Sequence, residues 1–261
     1  MMMTRLPMTH LPMTDVTSGR GGIVANSSKT PTYQGILAKM QSEQPSLYAS
    51  LKCWYSPKLQ GLTNAELSDN YGEYDGGLHD LSGNGYDMTI YGMTGEDGDG
   101  YVDADGHLVF DGVDDQATTE SGASPVFEDF TLFSRSYDFN VNGFVSIKAS
   151  TSGSQTPRIW GYGYQNQFCF AKVTTEGKIT HSMGTKRINT YVMQSNPYVL
   201  TINGTEYSGT RGTATDSADY QICIGSMFVR VWRNMALYYQ IVFDRTLTSE
   251  ETEWVNNNML Y

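Results

Sequence analysis

The sequence predicts an all-β fold: a concanavalin A-like jelly-roll sandwich of two antiparallel sheets, with a short C-terminal helix and an irregular N-terminal arm. Three observations predict it. Of 261 residues only 17% are charged, while glycine (27) and tyrosine (18) are abundant, a composition suited to strands and turns rather than to disorder or a coiled coil. From about residue 50 onward, short β-prone runs alternate with turn signals, giving about a dozen strands, more than the seven of an immunoglobulin sandwich. Asx-Gly pairs stand between several of these runs and supply the positive φ that a two-residue hairpin turn demands.

The elements follow in order. Residues 1–47 read as the arm, Met-rich at its start, with Ser18 to Gly22 as a hinge and a short helix over 33–42 that Pro45 limits. Residues 48–261 read as the sandwich. Hairpins are expected around Asp105-Gly106, Glu176-Gly177 and Asn203-Gly204, and another around Asn142-Gly143 between 131–141 and 144–148. Late strands are expected at 221–224, 228–232 and 236–243. Thr248 followed by Glu251 matches a capping box and starts a helix that runs to about Asn257.

Charge is unevenly spread. The net charge is -11, which excludes a phosphate-backbone binder, because that needs clustered Lys and Arg. Residues 66–138 hold 18 acidic residues and one basic residue, Arg135, whereas residues 1–52 hold five basic and two acidic. No apolar run approaches the roughly 20 residues of a membrane span. The first residues lack the apolar core of a secretory signal. The expected route is cytoplasmic synthesis, with virion association or non-classical export. Cys53, Cys169 and Cys223 lie far apart without zinc spacing.

Three segments carry a family resemblance. Leu51-Lys-Cys-Trp-Tyr55 is followed by Asp80-Leu-Ser-Gly-Asn-Gly-Tyr-Asp87; His107-Leu-Val-Phe-Asp-Gly-Val-Asp-Asp115 comes next; and Ala236 to Glu251 closes the chain with Arg245-Thr-Leu-Thr-Ser-Glu-Glu251. In this order they resemble the laminin-G-like, concanavalin A-like lectin/glucanase group, over about residues 48–260. The style also resembles proteins of gut Bacteroidetes and their phages. The resemblance implies the jelly roll and leaves function open, since the fold hosts enzymes, lectins and adhesion modules. Local chemistry explains much of the motif: short side chains in Asp80–Asp87 accept backbone amides, and the glycines permit the turn.

Enzymes of this resemblance carry an E-x-D-x-E or E-x-D-x-x-E strand, because a retaining glycosidase needs two carboxylates about 5–5.5 Å apart. No segment has that pattern. The four histidines are scattered and there is no G-x-S-x-G elbow, so the expectation is a protein that is not an enzyme. Asp97, Asp99, Asp103 and Asp105 form a run of hard oxygen donors. An EF-hand register fails, since Gly106 at position six would put Tyr101 at position one and Gly112 at position twelve. The run reads either as a solvated acidic hairpin or as an irregular Ca²⁺ site.

For sugars, the strip from Trp160 to Phe170 would put Trp160, Tyr162, Tyr164 and Asn166 on one face of a single strand. That face either packs into the core or emerges as a binding strip, with Arg158 and Tyr191 as neighbours. The function expected is a non-catalytic module that binds a glycan or a cell-surface protein, attached to a larger assembly by its arm. The alternative is a phage or prophage virion component such as a fibre or decoration protein, which carries with it a homo-oligomer. A glycoside hydrolase comes third.

Overall fold

The computed structural model describes residues 31–69, 77–120, 122–126, 128–138, 146–149, 162–164, 167–170, 177–180, 188–209, 219–226, 232 and 234–261. The chain opens with α1 (Tyr33–Glu43), α2 (Pro45–Ser50), β1 (Leu51–Tyr55), α3 (Pro57–Gln60) and α4 (Asn64–Asp69). Then come β2 (Met88–Tyr91), β3 (Tyr101–Val102), β4 (Leu108–Asp111), β5 (Gln116–Thr119), β6 (Thr131–Asp138) and β7 (Ser146–Ala149). Next are β8 (Tyr162–Tyr164), β9 (Gln167–Phe170), β10 (Gly177–Thr180), β11 (Ile188–Ser195), β12 (Tyr198–Ile202) and β13 (Thr205–Ser208). β14 (Gln221–Ile224), β15 (Asn234–Phe243) and α5 (Ser249–Asn258) finish it.

All strand pairs are antiparallel, and the fold is the expected jelly-roll sandwich. The large sheet runs β13-β12-β11-β6-β15-β4-β3, with β1 also on β15; the facing sheet runs β2-β5-β14-β7; β10-β9-β8 form a third, small sheet. The inter-sheet core is built from inward positions such as Leu108, Phe110, Leu132 and Met193 of the large sheet against Ile90, Ala117, Ile222 and Ile224 of the other. Burial of this apolar surface is the main stabilising term.

A second apolar layer lies on the outer face of the large sheet. Ile36 and Met40 of α1, Leu47 of α2 and Val255 and Met259 at the C-terminus pack on Trp54, Phe133, Ile241 and Phe243. The large sheet is thus covered on both faces, which is why Ala236 to Phe243 reads as a near-continuous apolar run rather than an alternation. It also moves the domain boundary. The compact unit that holds every described element starts at Pro31, not at residue 48, because α1 and α2 are part of its core. The expected helix at 33–42 is α1, capped by the Thr32 hydroxyl, which accepts from the Gly35 amide at 3.2 Å.

Turn chemistry places several pairs as expected. Asn203 and Gly204 have φ of 50° and 83° and join β12 to β13 with Ile202 opposite Thr205. β3 and β4 flank Asp105-Gly106. Two hairpins differ. β6 pairs with β11 and β15, while β7 pairs with β14 in the other sheet, so the chain crosses the sandwich instead of turning back; Asn142-Gly143 lies outside the described residues. Gly177 is inside β10 and sits opposite Phe170 of β9, so it is no turn residue. At the C-terminus the capping box forms in full, with Thr248 and Glu251 bonding each other's backbone.

The Asp80–Asp87 turn satisfies itself. Asp80 is buried, and its carboxylate accepts from the amides of Trp54 (2.9 Å), Ser82 (3.0 Å) and Tyr86 (3.2 Å). Asn84 donates to the Leu51 and Lys52 carbonyls, which docks the turn on β1.

Candidate functional site

The helical layer covers the end of the large sheet marked by Phe133, Ile241 and Phe243. Toward the other end, the outward positions are Arg135 and Tyr137 on β6, Tyr238 on β15 and Tyr101 on β3, all half-buried. Tyr238 owes its position to a β-bulge. The register shifts between Leu237 and Tyr239, so Met235 and Leu237 face the inter-sheet core, whereas Tyr239 and Ile241 face the helices. Tyr238 is the extra residue, and it joins Tyr239 on the outer side.

Neighbours fix Tyr238 from two elements. The His107 ring stacks on it, with centroids 3.6 Å apart and planes at 28°. The Arg135 guanidinium lies 5.1 Å from its ring centre, within cation–π range. Asp103 holds His107, with its carboxylate 3.0 Å from Nδ1 and accepting from the His107 amide at 2.8 Å. Burial would raise the Asp103 carboxyl, but these bonds win and lower it. Burial pushes the Tyr238 phenol up despite Arg135, so it keeps its proton and can both donate and accept. Arg135 Nε is buried and has no hydrogen-bond partner. The result is a row of phenol, guanidinium and imidazole on one sheet face. Such a set can bond hydroxyl or carboxylate oxygens while its rings offer apolar surface.

A polar recess of about 320 Å³ lies between the outer faces of β11, β12 and β13 and the α5 region. Val192, Thr201, Glu206, Ser249 and Glu253 line it, and its lining contains no aromatic ring.

The expected sugar strip has another arrangement. Its chain is two paired strands, β8 and β9, with Tyr162 opposite Cys169 and Tyr164 opposite Gln167, and not the single strand expected over 160–170. Arg158, Trp160 and Asn166 lie outside the described residues. Tyr191 is 1% exposed in the inter-sheet core, opposite Ser134 and Ile202, so it is a packing residue and not the wall of a surface site. Sequence reasoning missed Tyr238 and His107; the bulge that turns Tyr238 outward is set by pairing with β6, which no local signal in the sequence marks.

The acidic run also divides. Asp97 lies near Tyr101 and, after burial, helps raise its phenol; Asp103 holds His107; and Asp105 is exposed in the turn. These do not converge on one point with Asp99. Asp99 instead meets Asp111 and Asp114, with one oxygen of each within 4.8 Å of the others. Asp115 stands behind them, wholly buried. Burial pushes its carboxyl up and the nearby Asp111 and Asp114 carboxylates add to this; the Asp111 amide opposes, and the net is a rise to about 7.

No protein-family model matches the chain, and no curated protein matches it by sequence. Solved structures do match by shape. Domain 4 of a GH43 extracellular arabinanase from Geobacillus stearothermophilus, solved in complex with arabinotriose, is 11% identical with a TM-score of 0.55, over 80% of this chain and 98% of that one. Botulinum neurotoxin type C, in a study of its interaction with two ganglioside molecules, is 12% identical with a TM-score of 0.55, over 84% of this chain and 53% of that one. Trypanosoma rangeli sialidase bound to the inhibitor DANA is 13% identical with a TM-score of 0.51, over 86% of this chain and 38% of that one. The chain thus spans about half of the toxin chain in that structure and less than half of the sialidase chain. At these identities the likeness is one of fold. Among the described residues, no helix is long and apolar enough to cross a membrane.

Proposed function

We propose that this chain is a non-catalytic carbohydrate-binding module whose ligand lies across Tyr238, Arg135 and His107 on the outer face of the large sheet. The observation that carries the proposal is the bulge that turns Tyr238 outward beside an Arg135 Nε that has no partner. A buried, unpaired donor next to a half-buried phenol is costly unless a ligand completes it. The fold supports it, since the arabinanase domain that this chain matches nearly end to end was solved with a sugar. The absence of an E-x-D-x-E strand from the sequence favours binding over hydrolysis. Residues 1–30 would attach the module to a larger assembly, a role that a virion fibre or decoration protein would also need.

Affinity electrophoresis through gels containing arabinan, xylan, β-glucan or a sialylated glycoprotein tests the proposal. Retarded migration in one gel, lost on Tyr238→Ala, is the expected result. Unretarded migration in all four, or retardation that Tyr238→Ala leaves intact, would remove the site. Reducing sugar released from any of them would replace the module with a hydrolase.

A further inference from the structure

The helical layer packs on Phe133 of β6 and reaches Val192 on the next strand, β11. Beyond lie β12 and β13, and the outward positions of these strands fall in rows. Val192, Thr201 and Glu206 stand side by side across β11, β12 and β13, and Gln194 stands opposite Val199 in the neighbouring row. α5 supplies the other wall. Val255 turns one face of this helix into the apolar layer. Ser249, Thr252, Glu253 and Asn256, spaced i, i+3, i+4 and i+7, share another face and line the recess of about 320 Å³ between helix and sheet.

Short side chains keep this recess open. Serine and threonine are not strong helix formers, and at 249 and 252 they leave space that a longer residue would fill. Gln194 is fixed by its Nε2, which donates to the Leu247 carbonyl at 3.3 Å and leaves the amide oxygen as an acceptor. Val192, Val199 and Leu247 add apolar surface. No aromatic ring is present for a sugar to stack on.

The charges decide what fits. Glu206 stands on the sheet wall and Glu253 on the helix wall, and among the described residues no lysine or arginine lines the recess. Neither glutamate has a hydrogen bond or an ion pair with a described residue, whereas the nearby Glu251 is matched by Arg245 and Asp244 by Lys52. Hydroxyls of Thr201, Ser249 and Thr252 add further acceptors. A ligand for this lining carries positive charge, many donors and an apolar stem. An arginine side chain has all of these: a planar fork of N–H donors that can meet carboxylates on facing walls, and methylenes that lie on apolar surface. A lysine ammonium is a compact charge suited to one wall at a time. Free arginine would bring its own carboxylate into an acceptor-rich recess of a chain with net charge -11.

We propose that the recess between α5 and the outer face of β11, β12 and β13 binds an arginine side chain of a partner polypeptide. Glu206 and Glu253 take the guanidinium from opposite walls, and Val192, Val199 and Leu247 receive its stem. The recess shares no residue with the Tyr238 row and does not depend on the sugar proposal.

The test is an amide-resolved NMR titration of the full chain, at low salt, with the blocked tripeptide acetyl-Gly-Arg-Gly-amide. The same peptide with neutral citrulline in place of arginine, and free arginine, are titrated beside it. The arginine peptide should shift the amides of Thr201, Glu206 and Glu253, with a dissociation constant of about 5 mM or tighter that weakens in about 0.5 M NaCl. The citrulline peptide and free arginine should bind at least about threefold more weakly. Both glutamates are exposed, so Glu206→Gln and Glu253→Gln should fold, and each should weaken the arginine peptide by about twofold to fivefold. Glu250→Gln, exposed on the same helix but outside the lining, should change it by less than about 1.5-fold. No shift at about 10 mM arginine peptide, or equal binding of the citrulline peptide, would overturn the proposal. Equal losses in Glu250→Gln and Glu253→Gln would also overturn it, as a diffuse effect of acidic surface. Free arginine binding as tightly as the peptide would overturn the assignment to a polypeptide.

Discussion

His107 lies nearly parallel to Tyr238, ring centre to ring centre 3.6 Å, and Asp103 grips the same imidazole at Nδ1. The two rings come from β15 and from the turn before β4, so the stack fastens that turn to the sheet at the point where the bulge turns Tyr238 outward. An aromatic pair of this kind contributes about 0.5–1.5 kcal/mol beyond its buried area. His107→Ala should therefore cost about 1–2 kcal/mol in urea unfolding. It should also weaken any ligand of the row, because Tyr238 loses its support. His107→Phe should restore stability. If His107→Ala unfolds like the wild type, the stack has no structural weight.

At the opposite end of the sheet, Arg245 bonds both oxygens of Glu251, at 2.8 and 2.5 Å. The Arg245 hydrogen bonds, with help from the Thr248 cap, hold the Glu251 carboxyl down at about 2, against a usual 4.5. A folded-state pKa below the unfolded value means stability that is present above pH 4.5 and lost as pH falls toward 2. Glu251→Gln should be less stable than the wild type by about 2 kcal/mol at pH 7, allowing for the partial exposure of Arg245. That gap should close progressively between pH 5 and pH 2 in pH-resolved thermal unfolding. A gap independent of pH would assign the effect to the cap alone.

Gln240 is wholly buried on β15, and neither its amide oxygen nor its nitrogen has a hydrogen-bond partner. Such a group costs free energy that an apolar group of similar shape does not. Gln240→Met should be neutral or stabilising by about 1–2 kcal/mol, and Gln240→Glu strongly destabilising. Chemical denaturation of the pair distinguishes them. A clear loss in Gln240→Met would mean that the amide is satisfied in solution.

The Asp80 turn gives a prediction with an internal control. Removing the carboxylate in Asp80→Ala orphans three amides, those of Trp54, Ser82 and Tyr86. The expected loss is about 2–4 kcal/mol, read as a lower urea midpoint. Asp80→Asn, which keeps one side-chain oxygen as an acceptor, should lose less than half as much, and an equal loss in both variants would contradict this account of the turn.

Local chemistry was legible in the sequence where one stretch settled it. Thr248 and Glu251 cap α5 by direct reach, and Asn203-Gly204 turns because both residues take positive φ. What depends on a distant partner was not. Asn142-Gly143 looks like a hairpin, yet β6 finds its neighbours in β11 and β15, many residues away. α1 looked like part of an arm because the surface that buries Ile36 and Met40 is made by strands that come later. The bulge at Tyr238 exists only against β6, so an alternation count could not place that ring. Asp99 and Asp111 meet because two connections cross at the same edge. Tyr191 resembled a surface aromatic only until its facing strands were known.

The central claim is that Tyr238, Arg135 and His107 form the ligand row. A glycan array probed in parallel with wild type, Tyr238→Ala and Arg135→Met tests it most directly, with each variant's fold checked by thermal unfolding. The account predicts a defined set of bound glycans for the wild type, and signals at least about tenfold lower for both folded variants. A blank array for the wild type, or the same glycans bound equally by all three proteins, would contradict it.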